Sequence, residues 1–86
     1  VKAAPLVRSR RFDNDVVIVD LEGGAYYALD EVGARMWALL NSGQSPLELA
    51  TTMAAEYAAD KEQILVDCLH LVRRLLDLGL MEVTPP

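Results

Sequence analysis

The chain has 86 residues, which is enough for one hydrophobic core and too few for two. Hydrophobic residues make up 52% and charged residues 24%, the balance of a compact globule, so the disordered, collagenous and low-complexity classes are excluded. The net charge of -5 is uneven: Lys2, Arg8, Arg10 and Arg11 make the first eleven residues basic, the acidic remainder offers no face for reading nucleic acid, and only the leading segment suits an anionic partner.

Residues 6–12 read as a strand with Leu6 and Phe12 on one face, and three arginines suit it to a sheet edge. Asp13-Asn14-Asp15 supplies turn chemistry. The β-branched, apolar run Val16 to Leu21 predicts a central strand covered on at least one face. Glu22-Gly23-Gly24 is a hairpin signal, and Ala25 to Leu29 form a third strand with Tyr26 and Ala28 on one face and Ala25, Tyr27 and Leu29 on the other. Asp30 caps a first helix in which Val32, Met36, Leu39 and Leu40 recur at helical spacing until Gly43. Ser45-Pro46-Leu47-Glu48 is a capping box with a first-turn proline, and Leu47, Ala50, Ala54 and Tyr57 mark the buried face of the second helix. Asp60-Lys61-Glu62-Gln63 reads as another capping box and opens a third helix that ends at Gly79, with Leu80 to Val83 as a short tail before Pro85-Pro86. Strands first and helices afterwards indicate an α+β fold.

The third helix is too apolar for a surface helix. On a wheel of roughly 100° per residue, Ile64, Leu65, Cys68, Leu69, Leu71, Val72, Leu75, Leu76, Leu78 and Leu80 form one arc of roughly 200°, where somewhat more than ~100° suffices to meet a core. Arg73 closes the arc on one side; Asp67 and Arg74 close it on the other. Three coverings are open: the sheet on one half with the other helices on the second, a second copy of the chain, or an apolar peptide held in a groove.

Candidate chemistry is thin. Cys68 is the only cysteine, so an intramolecular disulfide and a cysteine metal cage are excluded. It falls within the arc with no histidine or cation on its face to lower its pKa, which makes it a core thiol. His70 lies on the polar side as a solvated residue, Trp37 belongs to the core, and Gly23-Gly24 lacks the helix that a phosphate cradle requires. These readings exclude catalytic residues, metal ligands and cofactors. No apolar run approaches the roughly 18 residues that span a bilayer, and no apolar segment of a signal peptide follows the basic start. The expectation is one cytoplasmic domain over residues 1–86, with Val1 in place of Met pointing to residues trimmed ahead of it.

Gly24-Ala25-Tyr26-Tyr27-Ala28-Leu29-Asp30-Glu31-Val32-Gly33-Ala34-Arg35-Met36-Trp37-Ala38-Leu39-Leu40 resembles the G-x-Y-x-x-L-N-E-x-G-A-x-I-W-x-L-L signature of PqqD-like proteins. Asp67-Cys68, Leu71-Val72, Leu75 and Gly79-Leu80 match the family's D-V-x-x-F-L-x-x-L-x-x-x-G-L third helix, with Cys68 for valine and Leu71 for phenylalanine. The resemblance implies a winged helix-turn-helix-like fold, a three-stranded antiparallel sheet followed by three helices, acting as a RiPP recognition element. Such a module binds the leader segment of a ribosomally made precursor peptide without catalysis. The chain looks most like the discrete recognition proteins of lasso-peptide clusters, which implies as partners a leader peptidase resembling cysteine transglutaminases and a cyclase, and neither nucleic acid nor membrane. A PqqD-type peptide chaperone for another modifying enzyme, a winged-helix DNA-binding regulator and a homodimerising module are the alternatives.

By the same resemblance the leader adds as a strand along Ala25, Tyr26, Tyr27, Ala28 and Leu29. Cys68, Leu71, Val72 and Leu75 fall at the family's core positions, which leaves Leu65, Leu69 and Leu76 as the groove lining. Val72 is shared, Arg73 is a charged rim and Asp67 an opposite rim. The two flanks of the arc can exchange roles, and the sequence alone leaves that open.

Overall fold

The computed structural model describes residues 1–83, so Pro85 and Pro86 lie outside the described residues. The strands are β1 (Lys2–Ala3), β2 (Val7–Phe12), β3 (Asp15–Asp20), β4 (Tyr26–Leu29) and β5 (Met81–Glu82), and the helices are α1 (Glu31–Asn41), α2 (Pro46–Tyr57) and α3 (Lys61–Asp77). β2, β3 and β4 form an antiparallel meander with β3 in the middle, as the order of apolar runs predicts. The turn from β3 to β4 needs Gly24, whose φ of 78° is one that side-chain-bearing residues rarely adopt.

Alternation sets the two faces of the sheet. Val7, Val16, Ile18 and Leu29 turn inward and are buried beneath the helices, while Phe12 and Tyr26 stay exposed on the outer face. α1 packs on β3, β4 and the other two helices and buries Ala34, Met36, Trp37, Leu39 and Leu40. α3 packs chiefly on α2, and also on α1 and β5, burying Ile64, Cys68, Val72 and Leu75. Arg35 on α1 forms a two-pronged ion pair with Glu56 on α2, at 2.9 Å through Nε and 2.8 Å through Nη2.

The helix ends follow the signals with one exception. Ser45 and Glu48 make both bonds of the capping box. The Asp60 box is only half made. Asp60 accepts from the Glu62 N–H, but Gln63 turns forward and donates to Asp67 at 2.9 Å, an i,i+4 pair that competes with reaching back. α3 ends in a Schellman motif: the Gly79 N–H bonds the Leu76 carbonyl at 3.1 Å, the Leu80 N–H bonds that of Leu75 at 2.9 Å, and Gly79 takes a φ of 74°.

Two further expectations give way. The buried face of α2 is Leu49, Ala50 and Met53, whereas Leu47 and Tyr57 are exposed. These two lie in the first and last turns, where the apolar periodicity no longer reports contact with the core. The segment after Gly79 is also more than a tail: Leu80 and Met81 are buried, and β5 pairs antiparallel with β1 in a two-stranded ribbon. The Ala3 N–H donates to Asn41 Oδ1 at 2.8 Å, which ties the ribbon to the end of α1.

Leu75 is 0% exposed and Leu69 is 48% exposed. Chemical denaturation should find Leu75→Ala destabilised by about 2–5 kcal/mol, and Leu69→Ala by no more than about 0.5 kcal/mol, the scale of surface substitutions. Equal losses would mean that the exposed flank of α3 is core.

Candidate functional site

β2 and β4 are the two edges of the sheet, and they differ. The Asp20 N–H bonds the Ala25 carbonyl at 2.8 Å, which sets the phase of the β3–β4 ladder. Hydrogen-bonded pairs alternate along an antiparallel ladder, so Ile18–Tyr27 and Val16–Leu29 exchange bonds. Tyr26 and Ala28 then aim their N–H and C=O groups away from β3, and no other group among the described residues takes them. On β2 the same alternation points Val7, Ser9 and Arg11 outward, but Val7 is already occupied. Its N–H bonds the Ala4 carbonyl at 3.1 Å, and its carbonyl accepts from Arg8 Nη1 at 3.0 Å. With Arg8, Arg10 and Arg11 along it, β2 is a guarded edge, whereas β4 is open.

Beside β4 lies a cleft of about 300 Å³, lined by Tyr27, Ala28, Leu29 and Asp30 from the strand side, Val32, Gly33 and Met36 from α1, and Asp67 and Leu71 from α3. Asp30 sets the α1 wall by accepting the Gly33 N–H at 2.9 Å. Gly33 is small where it passes β4, since a Cβ there would meet Leu29 Cδ2 at 3.2 Å. Farther along α3, the Arg74 guanidinium lies 5.9 Å from the centroid of the Tyr27 ring.

The structure brings Tyr27, Ala28, Leu29 and Asp67 to this cleft, places Tyr26 on its open edge, and puts Ala25 at the entry to β4. Leu65, Leu69 and Leu76 do not share it. At roughly 100° per residue they stand about 180° around α3 from Asp67, Leu71 and Arg74. Leu65 and Leu76 pack against the core on that far flank, while Leu69 is exposed. Val72 is buried in the core, and Arg73 points to solvent within 3.7 Å of Asp77. The flank of α3 facing β4 is thus the reverse of the one expected. Asp30, Val32, Gly33, Met36 and Leu71 are the cleft residues that sequence reasoning missed, and Arg74 stands just beyond them over the Tyr27 ring. For Leu71 and Arg74 the signal was their place on the wheel, and only the packing of α2 decides which flank stays open.

An antiparallel meander followed by three helices, with an unpaired edge strand beside a cleft, defines a winged-helix-like binding module. The family model for coenzyme PQQ synthesis protein D (PqqD) matches residues 15–81, and the chain belongs to that family as a PqqD-like RiPP recognition element. Two solved structures are similar over nearly the whole chain. One, TbiB1 in complex with the TbiA(beta) leader peptide, is 34% identical with a TM-score of 0.89 and 100% of each chain covered. The other, a lasso peptide synthetase B1 complexed with the leader peptide, is 25% identical with a TM-score of 0.83, covering 92% of this chain and 93% of that one. No curated protein sequence matches the chain.

Cys68 sits away from the cleft, fully buried in the stripe of α3 that meets the core. Burial pushes its thiol up to about 11. The folded state therefore holds this proton over a pH range in which the unfolded chain, near 9.0, has released it. The resulting stability is fully present below pH 9.0 and is lost as pH rises towards about 11. Unfolding titrations across that window should show a decline in wild type that is shallower in Cys68→Ala, whose stability is lower throughout. A parallel decline in the two proteins would assign it to other groups.

Proposed function

We propose that this protein is a non-catalytic adaptor, which binds the leader segment of a ribosomally made precursor of the lasso-peptide type and delivers it to a partner leader peptidase. The observation that carries the reading is the open backbone edge at Tyr26 and Ala28 beside the cleft of Leu29, Val32, Met36 and Leu71. A leader added as a fourth strand satisfies those backbone groups, and its alternate side chains enter the cleft. Two similar structures that hold leader peptides support the assignment.

Delivery works through effective concentration. Holding the leader makes the meeting of the scissile bond and the peptidase a local event. The peptidase then docks away from β4 and the cleft, and the basic segment of Arg8, Arg10 and Arg11 is the surface offered for it. The site of action is the cytoplasm, where precursors are synthesised, and the cyclase receives the peptide afterwards.

Hydrogen exchange with the cognate leader added should slow at the Tyr26 and Ala28 amides, and unchanged protection there despite confirmed binding would overturn strand addition. Leu71→Ala should weaken leader binding by roughly 1–3 kcal/mol, the scale of one apolar anchor, while Leu69→Ala leaves it unchanged. In a reconstituted reaction below saturating precursor, cleavage should quicken when the adaptor is present and lose that gain with Leu71→Asp. Equal rates with and without the adaptor would refute delivery.

A further inference from the structure

Opposite charges stand along β4: carboxylates within the cleft, and a guanidinium just beyond it. Near Tyr27 stands Arg74, within cation–π distance of the ring at 5.9 Å. Unlike Arg35 and Arg73, it has no carboxylate partner among the described residues. Near Leu29 stand Asp67 and Asp30, both lining the cleft. Asp67 accepts only from the neutral Gln63 amide, and Asp30 gives one oxygen to the Gly33 N–H, so neither is paired with a cation among the described residues. Leu71 lies between Asp67 and Arg74 along the same flank of α3 and lines the cleft. α3 therefore passes β4 in the opposite direction, with its later residue beside the earlier part of the strand.

We infer that this cleft reads the order of charges along its guest: a strand whose helix-facing residues run basic, apolar, acidic from the N-terminus to the C-terminus. The inference rests on the leader-binding reading and deepens it from a bound strand to a strand of stated chemistry. Seven residues separate Asp67 from Arg74, a rise of about 10.5 Å along the helix. Helix-facing residues four apart on a strand lie about 13 Å apart, and the Arg74 stem spans the difference. The direction follows from the sheet. An antiparallel guest is the more stable addition to an antiparallel sheet, and it sets its N-terminal end beside Leu29, Asp30 and Asp67. A basic side chain there meets two carboxylates, the middle residue meets Leu71, and an acidic side chain at the other end meets Arg74. Either charge in the wrong place faces its like.

Selection from a displayed library of random linear peptides tests this without knowledge of the precursor. The wild-type protein should enrich strand-like peptides with the basic–apolar–acidic order over the reversed order by roughly fivefold, the product of two exposed ion pairs. The double variant Asp67→Lys with Arg74→Glu should invert that preference. Asp67→Asn with Arg74→Gln should erase it while keeping the alternating apolar pattern. Both positions are exposed, so thermal melts should show all three proteins folded. Alternating apolar peptides enriched without a charge order, or an order unchanged in the reversed variant, would overturn the charge reading and leave leader binding standing. If no strand-like peptide is enriched by any of the three, leader binding itself fails and the charge reading falls with it.

Discussion

Ile64, Cys68, Val72 and Leu75, buried against α2 and α1, set the rotation of α3 about its own axis, and with it the residues that face β4. A turn of one residue would swing the helix through roughly 100°, far enough to move Leu71 out of the cleft. The C-terminal end is held by the Schellman motif at Gly79, which turns the chain so that Leu80 and Met81 enter the core. The β1–β5 ribbon and its bond to Asn41 then fasten that end to α1. The wall of the cleft is thus made by contacts that lie outside it, which allows the cleft to stay open without loosening the fold.

An open strand edge is a hazard, because its unpaired groups accept any extended chain. This sheet has two edges, and Arg8 treats one of them by folding its guanidinium back onto the Val7 carbonyl. Its neighbours Arg10 and Arg11 add charge along the same strand. β4 has no such device: Tyr26 and Ala28 present bare backbone next to small or apolar side chains. The asymmetry distinguishes an edge that repels pairing from one that permits it.

The strands, the hairpin and the helix boundaries were legible because each is marked by local chemistry: β-branched runs, paired glycines, Ser45 with Glu48, and Gly79. Long-range pairings were not. Two-residue strands such as β1 and β5 have no alternation to read, and their partners lie at opposite ends of the chain. Of the residues expected at the site, those of β4 border the cleft, whereas those of α3 other than Asp67 do not line it. Leu65, Leu69 and Leu76 on one flank and Leu71 and Leu78 on the other are equally apolar. Wheel angles give the separation of the flanks and not which neighbour each one meets. The α2 reading failed at its two ends for a related reason, since Leu47 and Tyr57 continue the periodicity past the turns that touch the core, while Ala50 and Ala54 do meet it.

Winged-helix architecture commonly sets its third helix against a nucleic-acid groove, and the residues of α3 oppose that use here. A helix that docks against phosphates needs uncommitted cations on its exposed face, because phosphate contacts supply most of the affinity. Glu62, Asp67 and Asp77 share the exposed surface of α3 with Arg73 and Arg74, and Arg73 already sits beside Asp77. The chain as a whole carries -5, so outside its basic first segment it offers little attraction to a polyanion. A peptide strand needs no such attraction. Its backbone pairs with groups at Tyr26 and Ala28 that every sequence can satisfy, which leaves the discrimination among peptides to the few side chains reaching Leu71 and its neighbours. In the proposed mode, affinity comes from the sheet edge and choice from the helix flank, so one can change in evolution without the other.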